Sequence, residues 1–480
     1  MLIAKWLGPN DYGRLSFLLA VFIGLRTFLD LGTSSAFFTF LSEKEQNLKF
    51  ILIYWLWLLI QLIVPLLVIG LLMPESLVKL LWQGEEKYLI ILALVSTYFQ
   101  YNIWPITMQM AESKRETAKI QILNVFVVLV HLIMMVFLWT TGYLSISSIL
   151  IVSLLEWFIA SIFSVLIYMK STEVNFLKAD NNISIRTTIL MYWNYCKPII
   201  PPLFIGFIAV FSERWMLQFW GGSVQQALFS VADQFAVVAL LAATAILRIL
   251  WKEFSDTYAK KDFDRLKSIY TKSSRLIFVS CALIAGFSIP WSKDFILIIL
   301  GKDYIGSVTP LMIMFLFPPY QALGQLNGAL LLATSKTKIY AFVSILEMSF
   351  GLALAYILLA PSNTIIPGFS LGANGLAIKI VVAVLLQAIL HSYFINRVFK
   401  WDLNFSFLIY VLPILIFLGF ISKFLVDYFF YFGVFVNAPL ALLIFLILNY
   451  YLISLFPSVL GLSKSEFKIQ KISLLNKLKL

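Results

Sequence analysis

Thirteen long apolar runs, separated by short polar connections, decide what this chain can become. They read approximately as 15–41, 50–72, 89–111, 118–140, 146–169, 188–212, 225–250, 275–300, 308–333, 339–360, 372–396, 405–426 and 434–456. A helix needs about 20 apolar residues to cross the hydrocarbon core of a bilayer, and every run reaches that length. Their apolar residues run continuously rather than alternating with period two, so membrane-crossing helices fit and an outer-membrane barrel does not. Hydrophobic residues make up 61% of the chain and charged residues 12%, a balance that no soluble core of 480 residues requires. The expected class is an all-α polytopic membrane protein with no inserted soluble domain.

The net charge of +12 is explained by where the basic residues fall. Taking alternate connections, 25 of the 36 Lys and Arg lie on one side and 6 on the other. The basic side is cytoplasmic by the positive-inside rule, which accounts for the charge without nucleic acid. The largest cytoplasmic stretch, 248–275, is expected to be helical along the surface. The tail 464–480 intersperses Lys464, Lys468 and Lys471 with Phe467, Ile469 and Ile472, as does an amphipathic segment on an anionic leaflet. This orientation puts Gly8–Gly13 outside, so Met1–Leu7 reads as the outer end of a further span, and the first helix is expected to be truncated. The first residues lack the basic head and apolar run of a cleavable signal. Cys196 and Cys281 read as small buried hydrophobes, and with His131 and His391 the only histidines, no disulfide framework, metal site or cofactor is expected.

Gly8-Pro-Asn-Asp-Tyr-Gly-Arg-Leu-Ser16 precedes one span and Gly222-Ser-Val-Gln-Gln-Ala-Leu-Phe-Ser230 another, each outside and each opening an inward-running helix. This faint echo, with six spans before each basic re-entry, suggests two parallel six-helix bundles around a central cavity. The divisions expected are 1–170 (its first span incomplete), 187–396, two additional helices in 404–456, and a basic cytoplasmic tail, 457–480.

Charges inside spans are the candidate site. A charge at bilayer depth costs roughly 2.5–3.5 kcal/mol on insertion scales and so faces a partner or a wet cavity. Arg26 and Asp30 share a helix face at i,i+4. They either neutralise one another or wall a cavity for a charged substrate, and we expect the second. Lys197 adjoins Pro198, Pro201 and Pro202, which mark either a hinge or simply a helix start. Asp233 is a cavity or proton-coupling candidate. Arg248 reads as an interfacial anchor or cavity residue, and Lys379 as a snorkelling or cavity-lining one. Asp30, Glu156, Asp233 and Glu347 are the carboxylates able to carry a proton if transport is ion-coupled. His131 reads as a satisfied interhelix histidine, and Gly324-Gln-Leu-Asn-Gly328 as a close helix-packing motif.

Leu7-Gly-Pro-Asn-Asp-Tyr-Gly13 followed by Asp30-Leu-Gly32 resembles the N-terminal signature of polysaccharide-export flippases of the multidrug/oligosaccharidyl-lipid/polysaccharide exporter superfamily. An ordered series continues the likeness over nearly the whole length: Lys197-Pro198, Ser212-Glu-Arg214, Gly221-Gly222, Ala232, Gly301-Lys-Asp-Tyr304, Ala333-Thr-Ser-Lys-Thr-Lys338 and Gly372-Ala-Asn-Gly375. Two departures are Glu213-Arg214 where the family usually has Asp-Arg, and the incomplete first span. The resemblance implies flipping of undecaprenyl-pyrophosphate-linked oligosaccharide repeat units from inner to outer leaflet for O-antigen or capsule assembly. It implies a bacterial inner membrane setting and no catalysis, and Arg26, Asp30, Lys197, Arg214, Asp233, Arg248 and Lys379 are the residues expected to line such a cavity. Partners implied are the lipid-linked oligosaccharide, membrane lipids, a polysaccharide polymerase and a chain-length regulator. The rivals are a lipid II or drug exporter of the same superfamily and a membrane polysaccharide polymerase. The last fits poorly, because the longest outer connections are about sixteen residues and offer little room for catalytic groups.

Overall fold

The computed structural model describes residues 1–43, 48–171, 185–197, 200–403, 405–429, 433–460 and 465. Every regular element among them is helical. Ten helices are long and apolar enough to cross a membrane, and a bent pair makes an eleventh span if counted as one. By its contacts the chain divides into two compact units, Leu2–Ala227 and Leu228–Leu480.

The first unit holds α1 (Leu2–Asp30), α2 (Thr33–Glu43), α3 (Leu48–Leu67), α4 (Glu75–Leu81), α5 (Lys87–Tyr98), α6 (Trp104–Ser113), α7 (Thr117–Thr140), α8 (Ile146–Ser171), α9 (Ile185–Cys196) and the beginning of α10 (Ile200–Ala259). Two π turns, Val68–Leu72 and Phe99–Ile103, follow α3 and join α5 to α6. Two clusters of its core lie among the described residues. One gathers Phe17, Phe22, Trp82 and Ile90. The other is aromatic, with the rings of Phe37 and Tyr54 stacked 4.1 Å apart beside Phe50 and Trp104. Arg14 on α1 makes a two-pronged ion pair with Glu85, both contacts 2.7 Å, tying α1 to the segment that leads into α5.

The second unit continues α10 and adds α11 (Phe263–Ser288), α12 (Ser292–Ile299), α13 (Val308–Met314), α14 (Phe317–Ala333), α15 (Thr337–Leu359), α16 (Gly372–Phe399), α17 (Phe407–Phe429) and α18 (Val434–Leu455). Small residues set its close crossings. A Cβ on Gly419 of α17 would lie 2.0 Å from the Gly286 carbonyl oxygen of α11. On α14, a Cβ at Gly324 would meet Gln387 of α16, and one at Gly328 would meet the Tyr340 ring of α15, each at 2.9 Å. The Gly324–Gly328 spacing is therefore a packing device. The same helix carries Asn327, which accepts from the Tyr270 hydroxyl (2.8 Å) and donates to Ser392 Oγ (3.2 Å), joining α11, α14 and α16. Lys423 of α17 reaches Asp294 at 2.6 Å while its ammonium sits 3.6 Å over the Trp291 ring.

The apolar runs and the helices agree in order and differ in continuity. The run 15–41 breaks at Leu31 and Gly32, both with positive φ (53° and 79°). The run 275–300 bends by 70° between α11 and α12, around Pro290. The run 308–333 is interrupted at 315–316, before Pro318 and Pro319 enter the first turn of α14. The run 188–212 divides between α9 and α10. Pro201 and Pro202 occupy the first turn of α10, where a missing N–H leaves no hydrogen bond unmade. The stretch 248–275 is helical to Ala259 and again from Phe263, with Asp262 accepting from the Arg265 N–H at 3.0 Å as an N-cap. Pro198 and nearly all of the basic tail lie outside the described residues.

The two glycines of the internal echo share one backbone conformation. Gly8 has φ 75° and ψ 169°, and Gly222 has φ 73° and ψ 178°. Each interrupts an otherwise continuous helix in a region that only glycine enters without strain. Where the helix resumes after Gly222, the Ser223 backbone packs so tightly on α1 that a Cβ at Gly13 would sit 1.8 Å from the Ser223 carbonyl oxygen.

Candidate functional site

The polar centre of the first unit is built where α1 ends. Leu31 and Gly32 turn the chain, and the Asp30 carboxylate folds forward over the start of α2. It accepts from the Ser34 N–H (3.0 Å), Ser34 Oγ (2.7 Å) and Thr33 Oγ1 (3.1 Å). Trp57 of α3 donates its indole N–H to Thr33 Oγ1 at 3.0 Å, binding the turn to a third helix. The Asp30 side chain thus caps the start of α2 from the end of α1, relieving the Ser34 N–H, a backbone donor otherwise unmet at a helix start. No ion pair links it to Arg26. Arg26 is half-buried, its Nε is buried with no hydrogen-bond partner, and the Tyr101 hydroxyl on the π turn lies within electrostatic reach of its charge. Asn102, next on that turn, donates to Gln61 of α3 at 3.1 Å. Beside the Leu31–Thr33 turn opens a cavity of about 440 Å³, walled by Tyr54, Trp57, Tyr192 and Trp193 among largely apolar neighbours.

The other residues expected at the site are distributed over both units. In the first, Lys197 is exposed at the end of α9, and Arg214 is half-buried in α10 two turns before Gly222. In the second, Asp233 is half-buried on α10, just after the fully buried Val231 and Ala232. The backbone of Arg248 is helical, and its side chain lies outside the description. Lys379 of α16 is buried, and its side chain fills the notch left by Gly351 on α15, where a Cβ would stand 2.7 Å from Lys379 Cε. Glu347 lies one turn before Gly351, so the structure brings the Lys379 and Glu347 positions to neighbouring levels of α15 and α16.

Two residues that sequence reasoning named separately meet in the first unit. His131 Nδ1 and Glu156 Oε2 are 2.7 Å apart, linking the middle of α7 to the middle of α8. The Glu156 side chain is only 8% exposed, and its second oxygen is buried with no partner. The signal was present in the sequence. His131 lies nine residues before the end of α7 and Glu156 ten residues after the start of α8, at one depth on either side of a tight connection. The partners of Asp30 and the Arg14–Glu85 tie carried no comparable signal. No group of three or more His, Cys, Asp or Glu placed to hold a metal ion occurs among the described residues.

Two units of membrane-length helices, the first kinked at Gly8 and Gly222, define a polytopic helical membrane-protein fold. It is shared over 94% of this chain and 95% of the other with a lipid II flippase, MurJ, in an inward closed conformation (TM-score 0.67, 16% identity). An inward-facing MATE family multidrug resistance transporter of the MOP superfamily matches 83% of this chain and 92% of its own (TM-score 0.65, 15% identity). A MOP superfamily transporter from Pyrococcus furiosus matches 81% and 85% (TM-score 0.52, 14% identity). No family model and no curated protein matches the sequence.

Proposed function

We propose that this protein flips undecaprenyl-pyrophosphate-linked oligosaccharide repeat units from the inner to the outer leaflet by alternating access, supplying O-antigen or capsule assembly at a bacterial inner membrane. The observation that carries the reading is the near full-length likeness to a lipid II flippase, in a chain that also keeps cations inside its spans. Moving one hydroxyl into a medium without hydrogen-bond partners costs roughly 4–8 kcal/mol, so a repeat unit with ~10 hydroxyls faces tens of kcal/mol unaided. A polar passage removes that barrier while the polyprenyl tail stays in lipid. The diphosphate asks for fixed cations, and Arg26 fits the part: its guanidinium is a planar fork of donors, and its buried Nε has none of its hydrogen bonds made. Arg214, Lys379, Lys197 and Arg248 are the further cations proposed to follow the headgroup, and Asp233 is the further carboxylate proposed to line the passage. A polymerase and a chain-length regulator are the proposed partners that receive the flipped units.

The same likeness favours a second reading, a flippase for lipid II itself. Both are tested by reconstituting the chain in vesicles and following two labelled substrates, the lipid-linked oligosaccharide and lipid II. Faster movement of the oligosaccharide supports the first reading, faster movement of lipid II the second, and movement of neither overturns both.

A further inference from the structure

We infer that His131 and Glu156 form a proton-carrying site inside the first unit, and that its loading and unloading couples substrate flipping to a proton gradient. The coupling half rests on the transport reading; the proton site does not. The pair lies in the α7–α8 interface. Val127, His131 and Met135 follow at four-residue steps along α7, and the two apolar ones are buried, so the imidazole lies on the helix face turned inward. At 2.7 Å a hydrogen must lie between Nδ1 and Oε2. With Nδ1–H donating to Oε2, the imidazole is oriented and Oε1 is left free. Oε1 is the atom that is buried and unpartnered.

An unpaired carboxylate oxygen at the middle of a membrane-length helix is costly, and a proton on Oε1 turns the anion into a neutral acid and removes the cost. Hard metal cations take several oxygen ligands, and one free carboxylate oxygen beside an imidazole does not supply them. Ser164, two turns closer to the cytoplasmic end of α8 and fully buried, also has a hydroxyl with no partner. Ser153, one turn outward, is buried as well. The carboxyl therefore sits within a line of hydroxyls running along its own helix.

The titratable and charged groups on the elements packed against α7 and α8 are few at this depth. Helix α5 brings Lys87 and Tyr88 at its start and Tyr98, whose hydroxyl is engaged by the Leu58 carbonyl. The π turn brings Tyr101, and α6 brings Glu112 in its last turn. Helix α1, which touches α8, carries Lys5, Asp11, Tyr12, Arg14, Arg26 and Asp30. On the two helices themselves, Lys119, Tyr168 and Lys170 stand near the ends, and Glu156 makes its ion pair with His131. In the step we assign, a proton from the outer aqueous side adds to Glu156 Oε1, forming one O–H bond. It leaves from the same oxygen to the inner side, restoring the carboxylate as substrate moves outward.

The test uses the full chain in vesicles with labelled undecaprenyl-pyrophosphate oligosaccharide and a pH gradient of one unit. Each coupled proton then shifts the outer-to-inner ratio of substrate by roughly tenfold. Wild type is expected to show that shift, Glu156→Gln to equilibrate without regard to the gradient, and His131→Gln to respond less than wild type. Independently of substrate, infrared difference spectra between acid and alkaline pH should show a protonated-carboxyl band in wild type that is missing in Glu156→Gln. A gradient response in Glu156→Gln equal to wild type overturns the coupling, and a band retained in Glu156→Gln overturns the site. Wild type with the band but no movement of any substrate supports the site and removes the transport reading instead.

Discussion

Asp30 and Arg26 show where helical spacing stops predicting geometry. Their i,i+4 spacing suggested a shared face, and that arithmetic holds only while the helix continues. At Leu31 and Gly32 it stops, and the carboxylate turns forward to Ser34 instead of back to Arg26. Asp30→Ala should therefore lower stability by about 0.5–2 kcal/mol, the usual worth of a capping side chain, while Asp30→Asn, which keeps an acceptor at the same reach, recovers part of it. Thermal unfolding in detergent reads the difference. Arg26→Ala, expressed at wild-type level, should abolish surface polysaccharide in a complementation assay, and Arg26→Lys should restore little, because an ammonium lacks the fork. Normal polymer from Arg26→Ala would remove the residue from the site. Arg14→Ala should be felt differently, by about 3 kcal/mol of stability, because it leaves the buried Glu85 without its cation. That pair joins positions 71 apart, and nothing local in the sequence announces it. The His131–Glu156 contact was legible in principle, since consecutive spans joined by a short turn must place equidistant residues side by side.

At the level of helices, the runs located the elements well and missed their interruptions. Composition alone cannot separate a straight span from a bent one. What breaks these spans is backbone geometry at single positions such as Gly32 and Pro290. Close approaches were legible only where both small residues share a helix, as Gly324 and Gly328 do. Gly286 and Gly419 belong to different helices, and only their meeting in space reveals the crossing. Gly419→Ala should force α17 off α11, at the 1–3 kcal/mol typical of overpacking, and unfolding temperature should fall accordingly. The matching substitution at Gly433, where a Cβ meets nothing within 4 Å, is the control.

For the molecule as a whole, class and order of helices were readable because apolar run length is dictated by bilayer thickness, which acts on every span alike. Substrate is not dictated that way, so it rests on a handful of polar side chains whose partners are set by the fold. Orientation is open to direct test. The exposed turn at Lys260 and Lys261 should be cut by trypsin in inside-out vesicles and spared in right-side-out ones, and the reverse pattern would invert the topology. The helix leading to that turn has a mechanical corollary. From Ser223 to Ala259 it runs unbroken for about 55 Å at 1.5 Å per residue, against a hydrocarbon thickness of about 30 Å. Such a rod acts as a pointer, so a ten-degree swing about its outer end carries the tip near Ala259 through about 10 Å. A spectroscopic label placed there would report, from the water, rearrangements occurring deep in the lipid.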